Sequence, residues 1–483
     1  MSFKSLFFRN TSVRQTVFKN TSWLFIGELI GRVIRFSIVI YGARVLGAAT
    51  YGVFSYALTI AAFLTIFSDL GLSPVLTRET AKNPALRQKY FSSAFALKRV
   101  LLLMNVLVLL FILPFLTRVP DANALFIFVL FIFVFDSTRE FGFGMSRSLE
   151  TMEKEALAKI IMNLAVAGLG FWFLSISASA AALAWAYALG TGIGLLVTVI
   201  LLWKYFRRIF SEVDWGLIWP LFKMALPIGI LGVLGAITIN TDMIMLGWWR
   251  SASEIGYYAG AQKIILLLYV LPTLLASAAF PVFSRLANVN NTRFRKVFEQ
   301  VMTMSVLLAL PIFVGGVILA PALVNFLFGA EYMPGVMTLQ ILFFTILIMF
   351  SSAVIPNALF AYNRQKLFLA FAGVGAFGNV LLNWLLIPRF GIEGSAVATV
   401  ITQLLSNGLV WWWMKRTNNF SILKYLVRPV VATIVMGGAC YWLSLAGVHL
   451  LLIVLAGMAI YFAILAILKE PLIREVRNIL RVR

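Results

Sequence analysis

The positive charges of this chain lie almost entirely on one side of its hydrophobic segments. Apolar runs of about 20 residues recur from about residue 20 to residue 468, and a helix of that length crosses the roughly 30 Å hydrocarbon core of a bilayer. Most of the 40 Lys and Arg residues fall at the chain ends and in alternate loops, whereas Arg118, Arg250 and Arg389 fall in the opposite set. This asymmetry follows the positive-inside rule and predicts a polytopic membrane protein with both ends in the cytoplasm.

The apolar runs predict an all-α fold with about fourteen transmembrane helices. The loops on the outer side of the membrane are short. The predicted spans are residues 20–46, 52–73, 91–117, 124–145, 157–177, 180–203, 221–247, 256–284, 297–320, 335–361, 366–388, 393–414, 425–444 and 449–468.

The composition is that of a membrane protein and restricts the classes of partner that the chain can bind. Hydrophobic residues make up 61% of the chain, and the mean hydropathy is +0.96. The net charge of +22 would indicate nucleic acid in a soluble protein, but in loops beside a bilayer it indicates anionic lipid headgroups. We therefore expect membrane lipids, and not nucleic acid, as partners. With one Cys (Cys440) and one His (His449), we expect no intrachain disulfide, metal site or other cofactor.

A basic segment divides the spans into two groups of six. Residues 204–220 place Tyr205, Phe206 and Ile209 opposite Lys204 and Arg207, a pattern typical of a short helix in the membrane interface. The predicted organisation is an N-terminal lobe (1–203), an interfacial linker (204–220), a C-terminal lobe (221–414), and two extra spans with a basic cytoplasmic tail (415–483).

A weak internal repeat supports this division. The first span ends in Leu46-Gly47 and the second opens with Tyr51-Gly52, while the seventh ends in Leu246-Gly247 and the eighth opens with Ile255-Gly256-Tyr257. Because six spans, an even number, separate the copies, the repeats run parallel. Two parallel repeats with a site between them are typical of transporters.

The same segments resemble a known family. The stretch from Tyr51-Gly52-Val53-Phe54-Ser55 through Ser68-Asp69-Leu70-Gly71-Leu72 to Arg78-Glu79 resembles the second-helix signature of polysaccharide flippases. The segments Asp242-Met243-Ile244-Met245-Leu246-Gly247 and Gly391-Ile392-Glu393-Gly394-Ser395-Ala396 are also similar. The resemblance is to lipid-linked oligosaccharide flippases of the multidrug/oligosaccharidyl-lipid/polysaccharide exporter superfamily. It implies two six-helix lobes around a central cavity, with two extra C-terminal helices.

The first span carries three charged residues on one helix face. Glu28, Arg32 and Arg35 are spaced by four and three residues, and Arg32 lies about 18 Å into the span. A basic residue at the centre of a bilayer costs about 2.5–3.5 kcal/mol on insertion scales, so exposure to lipid is disfavoured. One interpretation is that Arg32 and Arg35 line a cavity and bind a diphosphate. The other is a structural ion pair between Glu28 and Arg32.

Glycines in the same span predict close helix contact. Gly27 and Gly31 form a GxxxG pattern, which allows a neighbouring helix to approach closely.

A second charged group lies in spans seven and eight. Asp242 and Lys263 fall at similar depth from the outer side, which favours a structural ion pair. Alternatively, Lys263 contacts the lipid phosphate, or Asp242 exchanges a proton or cation during transport.

Further charges lie towards the cytoplasmic side. Lys98 and Arg99 are expected to snorkel from the third span, or else to line a cytoplasmic funnel that gathers the anionic headgroup. Six residues are expected near cytoplasmic helix ends, either as solvated side chains or as a gate network. They are Asp69, Arg78, Glu79, Asp136, Arg139 and Glu140.

The favoured function is a flippase, not an enzyme. It would move polyprenyl-pyrophosphate-linked oligosaccharide to the outer leaflet of the cytoplasmic (inner) membrane by alternating access, for surface polysaccharide synthesis. A polysaccharide polymerase is a candidate protein partner. The alternatives are a cation-coupled multidrug exporter of the same superfamily and a lipid II flippase. The short external loops disfavour a membrane-bound polymerase or ligase.

Overall fold

The computed structural model describes residues 13–362 and 364–470, and these residues form helices joined by turns and short irregular segments, without a β-strand. It confirms the predicted all-α, polytopic membrane fold. The α-helices are α1 (Val13–Asp69), α2 (Leu72–Lys82), α3 (Arg87–Leu107), α4 (Leu113–Leu116), α5 (Phe126–Ser148), α6 (Met152–Ile176), α7 (Ala180–Leu201), α8 (Trp203–Phe206), α9 (Ile218–Trp249), α10 (Ala252–Leu268), α11 (Val270–Leu286), α12 (Asn291–Phe328), α13 (Val336–Ser352), α14 (Val354–Ala361), α15 (Gln365–Asn418), α16 (Val427–Leu445) and α17 (Leu450–Ile467).

Two of these helices each contain two predicted spans. The helix α1 is broken at Gly47, where φ is 71°, and α15 is broken at Gly391, where φ is 63°. Both values lie in the left-handed region that side chains with a Cβ rarely adopt. These breaks fall between predicted spans one and two and between spans eleven and twelve, as expected from the loops between those runs.

The helices account for the predicted spans. Among the described residues, ten helices are long and apolar enough to cross a membrane, and the bent pair of α1 and α2 raises this to eleven. When α1 and α15 are divided at their breaks and the more charged α5 is included, each of the fourteen predicted spans falls on a helical segment.

The short helix predicted in the interlobe linker is limited to one turn at its beginning. Only Trp203–Phe206 forms an α-helical turn, and turns and the 3₁₀-helix Trp215–Leu217 follow. The amphipathic pattern of this segment instead reflects separate environments, since Ile209 is buried and Phe210 is exposed.

The chain divides into two compact units at Gly256 and Tyr257. In the first unit, Phe91 and Phe141 pack with a ring-centroid distance of 5.1 Å. In the second unit, a separate core contains Phe283 among its buried residues. The lobe boundary at 204–220 stays a prediction.

Within the first unit the two copies of the repeated motif contact each other. A Cβ atom on Gly52 would lie 1.9 Å from the carbonyl oxygen of Ala252, and one on Gly256 would lie 2.0 Å from that of Ala48. Both glycines are therefore required for backbone contact between α1 and α10.

The two helices that follow the twelfth span, α16 and α17, pack on α12 in the second unit. The Tyr461 hydroxyl donates to the carbonyl oxygen of Leu307 at 2.7 Å, and a Cβ atom on Gly457 would lie 2.8 Å from the Cys440 Sγ. The basic tail predicted after these helices continues into residues 471–483, which lie outside the described residues.

Candidate functional site

The site begins where α1 packs closely against α6. A Cβ atom on Gly27 would lie 2.8 Å from the Cα and Cβ of Ala156, and one on Gly31 would lie 2.6 Å from the Nδ2 of Asn163. Side chains of ordinary size would hold the helices apart at both positions. The close contact predicted from the GxxxG pattern is confirmed.

Charged and amide side chains line this contact, and we call them the charged seam. They are Glu28, Arg32 and Arg35 on α1, and Glu155, Lys159 and Asn163 on α6. Residues of α6 that are four apart lie above one another on one helix face, so Glu155, Lys159 and Asn163 form a stripe toward α1.

Ion pairs hold one end of the charged seam. The Arg32 Nε donates to the Glu28 Oε1 at 2.7 Å, and the Lys159 Nζ lies 3.5 Å from the Glu28 Oε2 and 3.0 Å from the Glu155 Oε1. The buried Glu155 carboxylate also accepts two hydrogen bonds from Arg147, at 2.6 Å and 2.8 Å. The structural pair between Glu28 and Arg32 is therefore formed, with Lys159 as a second cation on Glu28.

Arg35 has a different environment from Arg32. Its Nε donates to the Asn163 Oδ1 at 2.8 Å, and its guanidinium carbon lies 5.9 Å from the centroid of the buried Tyr187 ring. Asn163 is itself oriented, because its Nδ2 donates to the carbonyl oxygen of Lys159 at 2.7 Å. Within residues 13–362 and 364–470, no carboxylate pairs with Arg35. Neutral groups thus orient this cation without cancelling its charge.

The charged seam is a net positive site. Its three cations, Arg32, Arg35 and Lys159, outnumber its two carboxylates, Glu28 and Glu155. An excess of fixed cations in a desolvated or partly hydrated site favours an anionic ligand. Guanidinium groups are suited to phosphate because their donors form a planar fork.

The prediction that Lys98 snorkels is wrong. Its side chain is fully buried, and its Nζ lies 3.3 Å from the Asp69 Oδ1 and 3.5 Å from the carbonyl oxygen of Ser68. The end of α1 brings Asp69 against α3, so Lys98 finds a partner inside the protein and need not extend to the interface. The neighbouring Arg99 is exposed on another face of α3.

Two of the expected gate carboxylates lie at helix ends. Asp69 ends α1 and accepts from the hydroxyl of Ser73 at 2.5 Å and from its backbone N–H at 3.3 Å. Near the end of α2, the Arg78 Nε donates to the Glu79 Oε1 at 2.7 Å. These positions agree with the predicted helix ends.

The other three expected gate residues lie inside α5 and not at its end. Arg139, nearly buried, lies 2.8 Å from the Asp136 Oδ1 and 3.0 Å from the Glu140 Oε1. It precedes Ser148, the last residue of α5, by about 13 Å of helix rise. Their expected place at a helix end is therefore wrong, because α5 continues beyond its apolar run. The Ser68 and Ser137 hydroxyls form a hydrogen bond that joins α1 to α5.

The predicted contact between Asp242 and Lys263 stays a prediction. Asp242 is buried in α9 of the first unit, and Lys263 is partly buried in α10 within the second unit.

Sequence reasoning missed four residues of the site, namely Glu155, Lys159, Asn163 and Tyr187. The spacing of four between the first three is visible in the sequence and could have indicated a polar face on the fifth span. Tyr187 carries no comparable signal, because its ring becomes relevant only where α7 passes Arg35. Among the described residues, no cluster of three or more His, Cys, Asp or Glu side chains could hold a metal ion.

Comparisons with known proteins agree with this architecture. The family model described as "Polysaccharide biosynthesis protein" matches residues 17–287, and the MatE family model matches residues 227–385. The fold is similar to that of the solved structure "Lipid II flippase MurJ, inward closed conformation", with a TM-score of 0.77 and 17% sequence identity. The match covers 93% of this chain and 99% of that chain. At that identity the likeness shows the fold.

The sequence matches to curated relatives cover a smaller part of the chain. The chain is 26% identical to the probable low-salt glycan biosynthesis flippase Agl15 of Haloferax volcanii, over 50% of this chain and 52% of that protein. It is 21% identical to the putative O-antigen transporter of Shigella flexneri, over 44% of this chain and 48% of that protein. The chain thus matches about half the length of these relatives. Because the first family model covers more than half of the chain, this protein belongs to the polysaccharide biosynthesis protein family, within the superfamily that the sequence resembles.

Proposed function

We propose that this protein is a flippase for polyprenyl-pyrophosphate-linked oligosaccharides, which it carries from the cytoplasmic to the outer leaflet for surface polysaccharide synthesis. The names of the relatives support a glycan flippase, and the fold shared with a lipid II flippase supports a lipid-linked cargo. Alternating access of the cargo site to the two sides of the membrane would complete the cycle.

The observation that carries the proposal is the environment of Arg35. Its Nε donates to Asn163 and its guanidinium lies near the ring of Tyr187. The two terminal nitrogens can therefore donate to phosphate oxygens in parallel. A cation that only neutral groups contact inside a membrane protein is unfavourable in free energy, and a diphosphate would supply the compensating negative charge.

Arg32 can join the same ligand at low cost. Its pair with Glu28 is about 40% exposed on both sides, and exposed pairs contribute only about 0–1 kcal/mol. Glu28 would keep Lys159 as a partner when Arg32 turns to a phosphate. Arg32 and Arg35 would then hold the diphosphate from one face of α1.

The remaining predicted residues complete the proposal. Asp242 and Lys263 would pair across the outer half of the membrane, or serve coupling and phosphate contact. Asp69 with Lys98, and Asp136 with Arg139, would stabilise the cytoplasmic side of the first unit between transport steps. The basic loops and both chain ends would lie in the cytoplasm at the inner membrane, and a polysaccharide polymerase would receive the exported units.

The multidrug exporter is the competing function, because the MatE model matches part of the chain. A site for cationic drugs needs an excess of carboxylates, whereas the charged seam has an excess of cations. The charge balance therefore favours an anionic cargo.

The test is transport into liposomes of known orientation. A short polyprenyl-pyrophosphate-linked oligosaccharide is compared with a cationic dye for wild type, Arg35→Gln and Arg35→Lys. A charge-assisted hydrogen bond contributes about 1.5–3 kcal/mol, so we expect Arg35→Gln to slow glycolipid transport by roughly tenfold or more. Arg35→Lys should be intermediate, because it keeps the charge and loses the fork.

The matched control is Arg207→Gln, which removes the same charge from an exposed turn in the linker. Its glycolipid transport should equal that of wild type at equal protein level. Transport of the dye without transport of the glycolipid would overturn the proposal in favour of a drug exporter. Full glycolipid transport by Arg35→Gln would refute the phosphate role of Arg35.

A further inference from the structure

A groove lies on the first unit between α3 and the beginning of α9, and none of the residues that line it belongs to α1 or α6. Its volume is about 470 Å³, and we call it the interfacial groove. Six of its lining residues carry the argument that follows. They are Leu97, Arg99, Val100 and Leu103 on α3, with Trp215 and Trp219 on the opposite side.

The linker holds the two sides of the interfacial groove together. The backbone N–H of Asp214 donates to the Ser93 hydroxyl on α3 at 2.9 Å, and the Asp214 carboxylate accepts from the N–H of Gly216 at 2.9 Å. Farther along, the Gln88 side chain donates to the carbonyl oxygen of Tyr205 at 3.1 Å. These bonds fix the 3₁₀-helix that carries Trp215, so the groove is a built feature of the fold.

The apolar walls of the groove are open to the surroundings. Val100 and Leu103 are 56% and 60% exposed, and Trp215 and Trp219 are 76% and 60% exposed. In a membrane-spanning protein such a surface contacts lipid chains. Tryptophan is enriched at the boundary between headgroups and hydrocarbon, so Trp215 and Trp219 place Arg99 at the headgroup level.

Two cations accompany these walls. The Arg99 guanidinium lies 4.9 Å from the Phe210 ring centroid and 5.8 Å from that of Phe95, and the Lys223 Nζ lies 5.2 Å from the Trp219 ring centroid. In the part of the chain that the structure describes, neither cation pairs with a carboxylate. Aromatic faces orient both cations and leave their polar edges able to bind an anion.

We propose that the interfacial groove binds an anionic glycerophospholipid of the cytoplasmic leaflet. Arg99 and Lys223 would contact the headgroup phosphate, and an acyl chain would follow Leu97, Val100 and Leu103. Positive charge at the headgroup level and apolar walls below it match the two parts of such a lipid. This site is separate from the proposed cargo site and does not depend on the transport function.

Native mass spectrometry of the whole protein in detergent tests the proposal. Phosphatidylglycerol is the anionic probe, and phosphatidylcholine is the neutral-headgroup control. We expect one phosphatidylglycerol to bind most tightly, and this affinity to fall about fivefold in Arg99→Gln and about 30-fold in Arg99→Gln/Lys223→Gln. Arg99→Lys should retain most of the binding, because it keeps the positive charge.

The control variant is Lys204→Gln/Arg207→Gln, which removes two exposed charges from the neighbouring linker. It should bind phosphatidylglycerol as wild type does. Equal losses in both double variants would mean that general surface charge attracts the lipid, which would overturn the proposal. The same applies if the Arg99 and Lys223 changes leave binding unaltered.

A photoactivatable phosphatidylglycerol gives the location independently. Crosslinks should map to residues 96–103 and 215–219, and excess unlabelled phosphatidylglycerol should abolish them. If a polyprenyl diphosphate binds there and phosphatidylglycerol fails to compete, the groove is a docking site for the cargo and the phospholipid assignment is wrong.

Discussion

Glu155 is predicted to be the main structural support of the charged seam. Its side chain is fully buried, and it accepts two hydrogen bonds from Arg147 and contacts Lys159. Glu155→Gln keeps the size of the side chain and removes its charge. The substitution therefore leaves Arg147 and Lys159 beside a neutral amide and removes the carboxylate that they share.

The size of the effect follows from burial. Breaking a buried ion pair by neutralising one partner costs about 3–5 kcal/mol. Because Arg147 is 35% exposed and Lys159 keeps Glu28 as a partner, we expect the lower end, about 3 kcal/mol. Glu28→Gln is the matched comparison, since its pair with Arg32 is about 40% exposed and should contribute at most about 1 kcal/mol.

The assay is the free energy of unfolding from denaturant titration in detergent micelles, followed by tryptophan fluorescence. Glu155→Gln should unfold at clearly lower denaturant than wild type, and Glu28→Gln should remain close to wild type. The reasoning is refuted if Glu155→Gln stays within about 1 kcal/mol of wild type, or if both variants lose the same amount.

Two further predictions concern packing and the second buried pair. Gly52→Ala should lower the free energy of unfolding by about 1–3 kcal/mol, because the new Cβ would lie 1.9 Å from the carbonyl oxygen of Ala252. The control Gly168→Ala, whose Cβ would have nothing within 4 Å, should be neutral or slightly stabilising. Equal melting temperatures of the two variants would contradict the contact. Asp69→Asn should destabilise the protein more than Lys98→Met does, because it leaves the fully buried Lys98 without its carboxylate, whereas Lys98→Met leaves Asp69, which is 23% exposed. In a double-mutant cycle of unfolding free energies, the double variant should recover part of the loss. Strict additivity would argue against the pair.

Much of the topology could be predicted because membrane insertion leaves a one-dimensional signal. Span length and the side preference of Lys and Arg follow from the thickness and the surface charge of the bilayer. The breaks at Gly47 and Gly391 fall between predicted spans for the same reason. The structure of the linker was harder to predict, because an amphipathic pattern does not distinguish a helix from consecutive turns packed on a neighbouring helix.

The site was only partly predictable, because its partners come from distant segments. The sequence identified Arg32 and Arg35 as charges too deep to face lipid, but the residue that separates their roles is Asn163, 128 positions after Arg35. Lys98 shows the opposite error. Its position near a helix end indicated snorkelling, whereas Asp69, the last residue of α1, pairs with it inside the protein.

The central claim is that Arg35 holds the diphosphate of the cargo. The most direct measurement is the Kd of a short-chain polyprenyl diphosphate for wild type, Arg35→Gln and Arg207→Gln in detergent, with folding verified by the unfolding transition. The account predicts a roughly tenfold to 100-fold weaker Kd for Arg35→Gln alone. An unchanged Kd in folded Arg35→Gln would contradict it.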